Sequence, residues 1–190
     1  MLSIVFGHNP QALGQAHRPM VHDKGSRASS GTVRLAAGTT VVEFTRDGDR
    51  WRHRIATADG RRWESVEGEA DHACDPCWPA SPVLTEVTLT ETAGRPAILG
   101  LGLAGRSHFS LCVTIHAGQP DTLLFEAACR LTTMVGWLGS TYRGPEDKAI
   151  VLEPCGTPSA PPATVQWSYS AGLGGPKLRL SPSAAPAAGG

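Results

Sequence analysis

Two stretches of the chain carry residue types at spacings that can do chemistry. The first is Gly100-Leu-Gly-Leu-Ala-Gly105, a G-x-G-x-x-G pattern. Glycines so spaced let a backbone approach a pyrophosphate, provided a strand precedes them and a helix N-terminus follows. A strand is expected over Ala97 to Leu99. A helix is not, because from Arg106 the chain enters Phe109 to Ile115, whose apolar period is two. Asp121, near the place of a ribose-binding acid, falls in a hairpin loop. Nicotinamide dinucleotide is therefore not expected despite Gly100, Gly102 and Gly105. Leu99, Leu101 and Leu103 share one strand face and Gly100 and Gly102 the other, where missing side chains would admit another backbone or mark a bulge.

The second stretch is His72-Ala-Cys74-Asp-Pro-Cys77-Trp78. Thiolates at Cys-x-x-Cys spacing can share one tetrahedral zinc, and His72 can add a third ligand. A closed site needs a fourth, and Cys155, in a turn-like Glu-Pro-Cys-Gly-Thr-Pro run, is free to reach. The set His72, Cys74, Cys77 and Cys155 is thus a candidate zinc site with an incomplete signature. Cys74-Asp-Pro-Cys77 also resembles, over four residues, the Cys-x-Pro-Cys of thioredoxin-like proteins. That motif works at a helix N-terminus, which lowers the thiol pKa; here Pro79 and Pro82 follow and the flanking pattern is β. A tight linker with reduced or locally bridged cysteines is the plainer reading. Five cysteines is an odd number, so at least one is unpaired, which argues against a secreted disulfide scaffold.

His108, Cys112 and His116 share the outer face of one strand, but residues four apart there stand about 13 Å apart and cannot chelate one ion. His8, His17 and His22 have no common period. Ser107-His108 and Gly139-Ser140-Thr141 are places where a triad assembled in space would sit. No nucleophile elbow, His-Glu-x-x-His or Gly-Lys-Ser/Thr loop is present. Gly136-Trp-Leu-Gly-Ser-Thr-Tyr-Arg143 mixes aromatics, hydroxyls and an arginine, so Trp137, Tyr142 and Arg143 are the ligand-binding candidates. Alternation puts Trp137 with Thr141, and Tyr142 with Leu138 and Ser140; burial of Trp137 is the stronger of its two readings.

The elements that would position these groups have a two-residue period. Val41 to Thr45 and Arg50 to Thr57 flank Asp47-Gly48, a hairpin signal. A two-residue loop there pairs Phe44 with Trp51 and Glu43 with Arg52. Asp59-Gly60 turns the chain towards Arg61 to Val66, placing Trp63 opposite Ala56 unless a bulge shifts the register. Ser107 to His116 and Thr122 to Leu131 form the clearest hairpin. Ile115 pairs with Leu123, Val113 with Phe125 and Leu111 with Ala127, and both apolar sets point one way. Val83, Val87 and Leu89 alternate with polar residues, as do Val165, Trp167 and Tyr169. Lys148 to Leu152 and Lys177 to Leu180 are short strands. No amphipathic helix of three turns is found. The expected fold is all-β: an antiparallel β-sandwich, or partly open barrel, over 32–180. A loosely ordered arm, 1–31, precedes it and a low-complexity tail, 181–190, follows.

Seventeen basic and seventeen acidic residues cancel, so the basic excess of a nucleic-acid binder is missing. No apolar run reaches the roughly 20 residues of a membrane helix, and Leu2 to Phe6 is too short for a signal core. The sequence reads as a cytoplasmic, non-catalytic interaction or ligand-binding module without nucleic-acid or membrane partners. The alternatives are a zinc or thiol-redox protein centred on Cys74 and Cys77, and a hydrolase assembled in space.

Overall fold

The structure is a computed structural model that describes residues 31–67, 78–154 and 160–178. The arm except Gly31, the tail, His72, Cys74, Cys77 and Cys155 lie outside the described residues. Twelve strands run β1 Val33–Ala37, β2 Thr40–Asp47, β3 Arg50–Thr57, β4 Arg62–Ser65, β5 Glu86–Thr92 and β6 Arg95–Ala104. They continue as β7 Ser107–Ile115, β8 Leu123–Leu131, β9 Ser140–Arg143, β10 Ala149–Leu152, β11 Ala163–Gly172 and β12 Gly175–Leu178. The only helical turn among the described residues is 3-10, Pro145–Asp147. No described helix is long and apolar enough to cross a membrane.

The strands form two six-stranded antiparallel sheets, β1-β2-β3-β4-β9-β10 and β12-β11-β8-β7-β6-β5. They pack against each other as a sandwich and do not close into a barrel. Alternation decides what lies between them. Phe44, Trp51, Ile55 and Trp63 project from the first sheet, and Phe109, Val113, Phe125, Leu131 and Trp167 from the second, all buried. The β7–β8 register has Ile115 opposite Leu123, Val113 opposite Phe125 and Leu111 opposite Ala127, as the sequence predicts.

Two predicted registers are corrected. The tip of the β2–β3 hairpin is Gly48-Asp49, with Asp47 paired to Arg50. Gly48 takes the positive φ of 62°, as the first position of a Gly-X turn requires. Phe44 therefore faces His53, not Trp51, and Glu43 faces Arg54, not Arg52. Both faces survive, because the shift is even. The aromatic contact becomes Phe44 stacked on His53, with centroids 4.7 Å apart, and the ion pair becomes Arg54–Glu43 at 2.7 Å. In β3–β4 the shift is one residue, which moves Trp63 from opposite Ala56 to opposite Ile55. That puts both large apolar groups on the inner face.

Val83 is not in the strand that follows it. Residues 78–84 form a buried segment in which Trp78, Ala80, Ser81, Val83 and Leu84 all lie in the core. It is tied to both sheets at its end: Trp51 N donates to Leu84 O (2.7 Å), and N of the next residue, Thr85, donates to Leu101 O (2.8 Å). Ser81 Oγ donates to Thr141 O (3.0 Å) and accepts from Thr141 N (3.1 Å). A buried chain segment is tolerated only when so bonded.

Candidate functional site

The packing of residues 78–84 sets the character of β6. A Cβ on Gly102 would lie 2.0 Å from Val83 O, and one on Gly100 would lie 3.0 Å from a Leu84 methyl. The inner face of β6 is thus glycine because another backbone lies on it. The alternating leucines consequently point away from the core. Leu99, Leu101 and Leu103 are 44, 55 and 50 % exposed, an apolar row on the side of an antiparallel sheet that is ordinarily polar. Gly105 lies in the β6–β7 turn, and β7 follows it as a strand, so these glycines do not open a helix.

The hydrogen-bonded registers arrange this face into rows, three of which carry the exposed leucines, while a fourth, Ala97, Thr114, Leu124 and Ser170, lies beyond Leu99. The central row is Leu101, Ser110, Ala128 and Gln166. On one side lie Leu103, His108, Arg130 and Thr164; on the other lie Leu99, Cys112, Glu126 and Ser168. The small central residues leave an open groove of about 360 Å³ beside Leu101, Leu103, His108 and Arg130. Arg130 and Glu126 are exposed and enter no ion pair among the described residues. Burial, followed by the nearby Glu126 carboxylate, pushes the Cys112 thiol above its ordinary pKa, which makes it a poor nucleophile.

A second polar cluster lies inside the sandwich. His53 Nε2 and Tyr142 OH are 2.6 Å apart, and Tyr142 OH and Tyr169 OH 2.7 Å. Beside Tyr169 lies Ser140, whose Oγ accepts from Trp167 Nε1 at 3.0 Å. Nδ1 of His53 has no partner among the described residues. A bare ring nitrogen is cheaper to bury than an unpaired N–H, so the proton sits on Nε2 and the bonds run from His53 through Tyr142 to Tyr169. Burial holds the His53 pKa down at about 3 and pushes Tyr169 up to about 12. These groups stay neutral at physiological pH.

Where β4 leaves β3, Ser65 Oγ accepts from His53 N (3.0 Å) and donates to the Glu67 carboxylate. Burial pushes Glu67 up to about 7, against the pull of that hydroxyl and of Arg50 and Arg52. The opening beside it, about 510 Å³, holds two ion pairs, Arg54 with Glu43 at 2.7 Å and Arg52 with Asp47 at 3.4 Å. No group of three His, Cys, Asp or Glu side chains among the described residues can hold a metal ion. The phenols of the neighbouring chain are fully buried, out of reach of a substrate.

The structure separates the sequence candidates. Trp137 is buried and donates to Glu153 Oε1 at 3.0 Å. Tyr142 belongs to the buried chain. Arg143 is exposed and pairs with Asp147 at 3.0 Å. Ser107 is buried, accepting from Thr132 N (3.3 Å), while His108 faces outward. Sequence reasoning missed the exposure of the leucine row and the buried His53–Tyr142–Tyr169 chain. For the leucines the signal was Leu-Gly alternation itself: a strand with glycine on one face and leucine on the other must display the leucines if the glycine face is occupied.

Compared with known proteins, the chain matches no family, no curated protein and no solved structure, so function rests on the site alone.

Proposed function

We propose that this chain is a cytoplasmic β-sandwich interaction module that binds a macromolecular partner across the outer face of its second sheet. The observation that carries this is the exposed row Leu99, Leu101 and Leu103 on a strand whose inner face is glycine. A row of leucines left in water has an unmet hydrophobic driving force of roughly 25 cal/mol per Å² of apolar surface. Arg130, His108 and Glu126 supply a polar rim, the arrangement expected of a non-obligate interface. The groove is open and broad, which suits a partner surface better than an enclosed small ligand. The free thiols Cys112 and Cys129 suit a reducing compartment.

The test is paired substitution of Leu101 and Leu103 by glutamate. Both side chains are exposed, so the variant should keep the wild-type circular dichroism and unfolding midpoint. Cross-linking of purified protein, alone and in cell extract, should yield a discrete wild-type adduct that the variant loses. An unchanged adduct in the double variant would place the binding surface elsewhere.

A further inference from the structure

We infer that the partner is a second copy of this chain, docked face to face about a two-fold axis along the central row; this rests on the outer face being the interaction surface. An axis lying along Leu101, Ser110, Ala128 and Gln166 exchanges the two flanking rows. Leu103 of one copy then meets Leu99 of the other, and Leu101 meets its own equivalent. Arg130 meets Glu126 of the other copy, twice by symmetry. Gln166 meets Gln166, whose amides can pair with each other. His108 stands over Cys112 and Thr164 over Ser168. The registers that set these positions are continuous across β6, β7, β8 and β11.

Three features favour this partner. This exchange matches the charges of β8: Arg130 and Glu126 lie on the same strand either side of Ala128, so reversing strand direction superposes opposite charges. Small Ser110 and Ala128 between them leave room for the long side chains. The arrangement is isologous, so it closes at two copies and builds no filament. Glu86, at the β5 end of the central row opposite Leu101, meets its own equivalent at the exposed edge of the pair, a like-charge contact that keeps the dimer weak. Four strands about 4.8 Å apart and three rows about 6.8 Å apart cover about 400 Å² per copy. The pair buries about 800 Å², the scale of a weak, transient interface, so a weak, concentration-dependent dimer is expected.

Sedimentation velocity of the full chain over a concentration series is the experiment. Wild-type mass should rise from 19.9 kDa towards twice that value. Arg130→Glu and Glu126→Arg should each weaken dimerisation at least tenfold by like-charge contact. The double exchange R130E/E126R should restore it, which no role within one monomer would produce. Folded single variants that dimerise like wild type, or a double exchange without recovery, would overturn the axis. A wild type that stays monomeric overturns self-association; if Leu101→Glu with Leu103→Glu still abolishes an adduct with another protein, the face assignment stands alone. A dimer indifferent to the leucines and to both charges would sink both.

Discussion

Replacing Gly102 with alanine is expected to destabilise the fold by about 3 kcal/mol or more, the scale of severe overpacking. The new Cβ would stand 2.0 Å from Val83 O, 2.8 Å from Val83 C and 2.9 Å from Leu84 Cα. All three are backbone atoms of the buried segment. Leu84 O of that segment is bonded to Trp51 on one sheet and the next residue, Thr85, to Leu101 on the other, so the segment cannot yield without straining those bonds. Gly100→Ala is the control. There the nearest atoms, at 3.0 and 3.1 Å, are the methyl ends of the Leu84 side chain, which can rotate, and a cost of about 1 kcal/mol is expected. Urea unfolding of the two variants measures the contrast. Gly102→Ala within a few tenths of wild type would remove the reason given for the outward leucines.

The second large effect is a pH dependence set by two groups of opposite slope, the buried His53 and the partly buried Glu67. His53 binds its proton at about 6.5 when unfolded and about 3 when folded. The folded state refuses a proton that the unfolded chain takes. Stability is therefore full above pH 6.5 and falls as pH drops towards 3, by on the order of 5 kcal/mol. Glu67 moves from 4.5 to about 7 on folding. The unfolded chain loses that proton first, so stability falls as pH rises from 4.5 to 7, by on the order of 3 kcal/mol. Between pH 4.5 and 6.5 the slopes oppose, and these two groups together leave a plateau. Below it the His53 slope acts alone.

Glu67→Gln separates the two. Glutamine keeps an acceptor for Ser65 and removes the ionisation. The variant should match wild type near pH 4 and exceed it by on the order of 3 kcal/mol at pH 8. The plateau should become a continuous rise up to pH 6.5. Denaturant midpoints at pH 4, 6 and 8 read this out. A variant no more stable than wild type at pH 8 would mean that Glu67 is solvated as a carboxylate.

The contrast between hairpins shows what was legible in the sequence. In β7–β8 both strands carry an unbroken apolar alternation, so only one register puts Ile115, Val113 and Leu111 with Leu123, Phe125 and Ala127. In β2–β3 an even slip about Gly48 preserves both faces, so periodicity could not choose between Trp51 and His53 as the partner of Phe44. The outward leucines were half legible. Their common face followed from alternation, but its direction depended on residues 78–84, which carry no strand period. Tyr142 was legible as a chemical group and not as a buried one, because its partners His53 and Tyr169 are 89 and 27 residues away.

The most direct measurement is hydroxyl-radical footprinting with peptide-level mass spectrometry, at dilute and high protein concentration and in cell extract. Leu99, Leu101 and Leu103 should be oxidised in dilute protein and protected when a second copy or another partner covers the sheet. Met134, Val151 and Leu173, exposed elsewhere on the molecule, should react equally throughout. Leucines that react equally in every sample, alongside unchanged controls, would contradict the assignment of this face as the binding surface.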